Sequence, residues 1–175
     1  HARQVVALTG DLASWADRTR AGGSGRLKVG MIDAAAVGHF SPHLREFRRD
    51  HSDLELLLTV GPSGQLLDDL ESGRIDVAIC VSPTAPRRGV ETTPLLTEDI
   101  AVYSPDGSRP RRPATWGPWV VFPQGSHTRA LIADALSELG APIEIVAESH
   151  QPDVLREMVG LGLGWTVLPV VQAEM

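Results

Sequence analysis

From Leu27 onward, apolar residues recur alternately at strand spacing and at helix spacing. The run Leu27-Lys28-Val29-Gly30-Met31-Ile32 alternates like a strand, and 37–49 then reads as a helix with Leu44 and Phe47 turned inward. Residues 54–60 form a second strand pattern, and 63–72 a helix with Leu66, Leu67 and Leu70 along one side. Ser63 is the natural N-cap of that helix and Gly73 its natural stop. A third strand, 75–81, is rich in β-branched residues, and this strand–helix alternation predicts a parallel α/β sheet.

A turn-rich break at 83–89 precedes two extended segments, 90–97 and 100–104, where a crossing between lobes fits. Four prolines make 105–118 a surface loop rather than core. Alternation resumes with a strand at 119–122, a helix at 126–139 stopped by Gly140, a strand at 143–148, a helix at 153–161 and a short strand at 164–168. Upstream, Val5, Leu8, Leu12, Trp15 and Thr19 fall on one face of a connector helix that ends in the linker Ala21-Gly22-Gly23-Ser24-Gly25. The expected layout is a linker helix and hinge over 1–25, a first lobe over 26–98 and a second over 99–175, with no repeat of fixed period.

Composition narrows the class. Hydrophobic residues at 42% supply a core without disulfides, and Cys80 is the only cysteine, so no internal bridge forms. Apolar runs stay short of the roughly 18–20 residues a membrane span needs, and no signal-peptide pattern opens the chain, so the expected setting is cytoplasmic, with no membrane partner. The net charge of −6 argues against DNA binding by this segment, because neutralising phosphates takes a concentrated basic surface.

Enzyme chemistry finds little support. His39 and His43 stand four apart, yet zinc needs about three protein ligands, Cys80 falls in a buried strand, and no H-E-x-x-H pattern occurs. Asp68 and Asp69 are neighbours pointing about 100° apart on a helix, which reads as surface charge rather than an acid–base pair. Ser126-His127 is a sequential pair without triad geometry, and G-x-S-x-G and G-x-x-x-x-G-K-[ST] are both absent. The glycines 160, 162 and 164 follow a helix instead of opening one. The expectation is no catalytic residue, no metal and no cofactor.

Four segments in order then carry a resemblance: Leu27-Lys28-Val29-Gly30, Pro42-His43-Leu44-Arg45-Glu46-Phe47, Leu54-Glu55-Leu56, and Gly73-Arg74-Ile75-Asp76-Val77-Ala78-Ile79. With Phe122-Pro123-Gln124-Gly125-Ser126 and the G-x-G-hydrophobic-Pro run 162–169, they resemble the effector-binding domain of LysR-type transcription regulators over about 26–171. The resemblance implies an α/β fold of two Rossmann-like lobes, similar to type 2 periplasmic binding proteins and preceded by a linker helix. It also implies a small-molecule effector bound in the inter-lobe cleft. Self-association as a homodimer or homotetramer is implied, through the helix of Leu44 and Phe47 and that of Leu131 and Leu136. DNA contact is expected only through a winged helix-turn-helix outside this chain, which also stops short of the family's return crossing into the first lobe.

Helix N-termini expose unpaired N–H groups that favour anions and carbonyl oxygens. Three such loops are therefore candidate ligand contacts: Asp33-Ala34-Ala35, Ser63-Gly64 after Pro62, and Gln124-Gly125-Ser126-His127. The first wall is less polar than the family's, with Ala34 and Ala35 where Ser or Thr often stands. For Ser63 and Ser126 helix capping explains the residue as well as ligand contact does. His150 and Gln151 occupy the family's crossing between lobes and are candidates for the cleft floor. The alternative reading is a free-standing periplasmic-type solute-binding protein, and an interaction domain without ligand is a third.

Overall fold

Leu27, Val29 and Met31 share one face of β1 (Arg26–Met31) and are at most 1% exposed, while Lys28 and Gly30 face the other way. The computed structural model describes residues 25–83, 85–105, 107 and 112–173. These divide into two units, one ending at Thr97 and one beginning at Glu98. The connector helix expected at 5–20 lies outside the described residues, as does the linker apart from Gly25.

In the first unit β1 is the central strand, hydrogen-bonded on both sides in parallel to β2 (Glu55–Val60) and β3 (Val77–Ile79). Parallel neighbours need crossover helices. α1 (Ser41–Asp50) links β1 to β2, and its Leu44 and Phe47, with Phe40, bury against Leu27, Val29 and Met31. α2 (Ser63–Glu71) links β2 to β3 and sends Leu66 towards the opposite face, where a Cβ on Gly30 would meet Leu66 and Ile75 at 2.7 and 2.6 Å. Helices thus cover β1 from both sides.

Three expectations for this unit change. The single helix over 37–49 divides into a π-helical segment, Ala34–His39, and α1, because Pro42 starts a new helix in its first turn more readily than it continues an old one. Phe40 N–H closes the earlier segment on Ala35 O at 2.9 Å. Ser63 is not the N-cap of α2: Pro62, extended at φ −69 and ψ 148, holds that position. Asp69 is not a surface charge; it is 9% exposed and its carboxylate takes the Arg74 guanidinium at 2.6 Å. Residues 90–97 pair with no strand among the described residues, although Leu95 packs on the first core.

The second unit repeats the plan around β5 (Trp119–Val121), whose Trp119 and Val120 are wholly buried. β6 (Ile145–Glu148) runs parallel on one side. On the other, Val120 N–H donates to Trp165 O at 2.8 Å and Trp165 N–H to Pro118 O at 2.7 Å. The chain continues from Trp165 into β7 (Thr166–Pro169), which pairs antiparallel with β4 (Ile100–Tyr103). α3 (His127–Glu138) lays Ile132 and Leu136 against Trp119, Val121 and Val167. α4 (Pro152–Gly160) lays Leu155 and Val159 against Val120 and Leu168 on the opposite face, and a short α5 (Val170–Ala173) follows β7.

Two glycines shape the turn into β7. Gly162, at φ +79, follows the α4 cap in the left-handed region, and a Cβ on Gly164 would stand 2.6 Å from Pro118 O. Backbone cannot yield as a side-chain end does, so Gly164→Ala should cost roughly 3 kcal/mol, the upper end of overpacking. At Gly160 an added Cβ meets nothing within 4 Å, and Gly160→Ala should gain about 0.5 kcal/mol from helix propensity. Urea denaturation of both variants beside the parent checks the pair.

Candidate functional site

In open parallel sheets the helices occupy both faces, which leaves the carboxyl ends of the strands for ligands. In the first unit those ends are tied in register: Gly61 N–H donates to Met31 O and Ile32 N–H to Ile79 O, both at 3.1 Å. Residues 32–35, 61–64 and 80–82 therefore share one edge. Asp33 stands half-buried at the head of the π-helical segment and caps no N–H, and Ala34 and Ala35 are buried behind it. Ser63, 6% exposed, accepts Val81 N–H at 3.3 Å, and Gly64 has open space where a Cβ would sit. The four first-unit candidates are thus brought to one edge, joined by Cys80 to Ser82, which reading the sequence missed. The third strand, expected over 75–81, ends at Ile79, and that earlier end is what brings 80–82 to the edge.

Cys80 is half-buried, and burial pushes its thiol above the ordinary value, with the Arg87 guanidinium pulling the other way. Arg87 is itself held by Asp68 at 2.7 Å and Glu71 at 3.2 Å.

The second unit presents a comparable edge beyond β5 and β6. Ser126 is the N-cap of α3, its hydroxyl oxygen accepting Arg129 N–H at 3.3 Å. Gly125 turns at φ +88 and Gln124 is exposed. His127 opens the helix with Nδ1 enclosed and no partner among the described residues. Arg129 donates to Phe122 O at 3.0 Å and to the Glu148 carboxylate, clamping α3 to the ends of both strands. Ser149 N–H reaches Val121 O at 3.0 Å and the Ser149 hydroxyl accepts Gln151 N–H at 3.1 Å, leaving His150 and Gln151 exposed at the start of α4. Under α3 an apolar pocket of about 20 Å³, room for a water-sized molecule, is lined by Trp119, Phe122 and Ile132 among others and touches none of the predicted residues.

His39 and His43 lie in separate helical segments with the Phe40 ring edge-on to each, at 6.4 and 6.5 Å between centroids. Among the described residues no group of three or more His, Cys, Asp or Glu is placed to hold a metal.

The family model described as the LysR substrate binding domain matches residues 20–174. The chain belongs to that family. The LysR domain here is 29% identical, over 99% of its length, to a probable hydrogen peroxide-inducible genes activator of Streptomyces viridosporus, of which it spans 58%. Its fold is similar to the OxyR2 E204G regulatory domain of Vibrio vulnificus (TM-score 0.72, 22% identity, 86% of this chain and 75% of that one). It is also similar to the effector binding domain of QuiR in complex with shikimate (TM-score 0.70, 17% identity, 85% and 75%). The two-lobed, periplasmic-binding-protein-like α/β fold is thereby that of this LysR domain.

Two outcomes follow. Ser126→Ala removes a cap and should lower stability by about 1 kcal/mol, and Ser63→Ala strands the Val81 N–H at about 1–3 kcal/mol, both readable by urea denaturation. For Cys80 the folded value is raised, so the unfolded chain releases its thiol proton first as pH climbs. That contribution is complete below the ordinary thiol value of about 8.5 and is lost above it. The melting temperature should fall more steeply above about pH 8.5 than in Cys80→Ala.

Proposed function

We propose that this domain is the effector-sensing part of a LysR-type DNA-binding transcription regulator that acts in the cytoplasm, without catalysis. The observation that carries the reading is the family match over 20–174, joined to two sheet edges that offer backbone donors and small residues. An activator among the relatives and a shikimate complex among the similar structures support a regulator over a free-standing solute-binding protein. Among the described residues no helix is long and apolar enough to cross a membrane. The effector contacts proposed are Asp33, Ala34, Ser63 and Gly64 in the first unit, and Gln124, Gly125, Ser126, His127, His150 and Gln151 in the second. The net charge of −6 leaves DNA contact to a winged helix-turn-helix elsewhere in the protein.

Binding regulates only if the effector prefers one arrangement of the protein over another. Self-association gives that preference a route to paired DNA-binding heads. Leu44, Phe47 and Leu136 are core residues and are not available as contacts. The surfaces that favour a second copy are β2, with Leu57, Leu58 and Val60 at 41–51% exposure, and α3 with β6, where Leu131, Leu139 and Val146 are 48–55% exposed. Exposed apolar residues on a sheet edge and a helix favour association.

A thermal-shift screen of small metabolites, shikimate included, tests the reading on the 175-residue chain. At least one compound should raise the melting temperature in proportion to the logarithm of its concentration and persist unchanged on prolonged incubation. A compound consumed instead makes the domain an enzyme. Leu131→Glu should shift sedimentation towards the monomer, and an unchanged sedimentation coefficient removes α3 from the interface.

A further inference from the structure

We propose that the first unit selects an effector carrying a protonated nitrogen, an amine or guanidine, which Asp33 accepts; this rests on the effector-sensing reading. Asp33 is the one charged residue in the three loops 32–35, 61–64 and 80–82 that share the carboxyl edge of the first sheet. Its carboxylate is half-buried, caps no helix N–H and has no hydrogen bond or ion pair with other described residues. Two arginines that flank the third strand are bound elsewhere, Arg74 by Asp69 and Arg87 by Asp68 and Glu71. Among the described residues Asp33 thus has no ion-pair partner.

The surroundings sharpen that charge. Ala34 and Ala35 are 4% exposed and bring no donor side chain to the wall. Ser63 uses an oxygen lone pair on Val81 N–H and has its hydroxyl proton left to donate. A carboxylate brought to this edge meets a like charge that has no ion pair among the described residues, whereas an ammonium or guanidinium forms a charge-assisted hydrogen bond in a setting drier than bulk water. The unusual backbone fits a binding role, since π-helical segments concentrate at functional sites. Asp33 is a specificity residue in this account, with the Ser63 hydroxyl and backbone N–H groups donating to oxygen atoms elsewhere on the ligand.

The test uses the whole chain and two probe sets: putrescine, agmatine and L-arginine against succinate, benzoate and shikimate. Members of the first set should stabilise the parent. Asp33→Asn, close in shape but uncharged, should weaken them roughly tenfold or more, the effect of deleting one charge-assisted hydrogen bond, with the ligand-free melting temperature kept. Stabilisation by the carboxylates alone, or by amines equally well in Asp33→Asn, overturns the proposal and leaves the effector-sensing reading standing. Silence from both sets removes this proposal, and silence across the wider metabolite screen removes the effector-sensing reading with it.

Discussion

Burial of a central strand on both faces is the constraint from which the rest follows. β1 and β5 each lie between helices, with Leu27, Val29 and Met31 under α1 and Gly30 under α2, and with Trp119 under α3 and Val120 under α4. A strand enclosed in this way has its side chains committed to packing and its backbone committed to neighbours on either hand. What it has left is its carboxyl end, where the chain must leave the sheet and turn into a helix. Packing thus leaves those ends as the part of each sheet open to a ligand, before any particular polar residue is considered.

The same constraint explains why short motifs were readable. In Gly73-Arg74-Ile75-Asp76 each residue has a separate task. Gly73 turns at φ +71 past the end of α2, and Arg74 neutralises Asp69. Ile75 packs against Gly30, and Asp76 exchanges hydrogen bonds with Lys28, its carboxylate accepting Lys28 N–H at 2.9 Å and its own N–H donating to Lys28 O at 2.8 Å. The G-x-G before β7 is equally specific: Gly162 supplies a left-handed turn and Gly164 a backbone approach that excludes a Cβ. Residue types restricted by geometry leave a trace in sequence, and here they marked element order, the cores and the ends of helices.

What stayed illegible depends on partners that only the fold brings together, or on a change of helix type that apolar spacing does not show. A serine before an apolar helical run looks like a cap, and Ser126 is one; Ser63 is not, because Val81, eighteen positions on, claims its hydroxyl oxygen. Asp69 looks like its neighbour Asp68 until the fold brings Arg74 onto it and closes the surface. The break at Phe40 left no trace in the apolar pattern either, since buried residues stand on both sides of it, Ala34 and Ala35 before and Leu44 and Phe47 after. The place of Cys80–Ser82 on the first edge came from strand register, which no local pattern records.

Both edges also bear on whether this domain binds or reacts. Ser63 and Ser126 each have an oxygen lone pair engaged by a backbone N–H, and Arg129 holds a carbonyl and a carboxylate together. A nucleophilic hydroxyl needs a base to take its proton and freedom to move towards a carbon atom. Hydroxyls tied into the frame are better suited to holding a ligand in one orientation. Polar groups at these edges are stiff because they double as structural bonds, so a ligand that engages them acts directly on the elements they join, α2 to the end of β3 and α3 to the ends of β5 and β6. A sensing domain needs that linkage, and under the proposed reading a group that contacts the effector would also be one that joins elements of the fold.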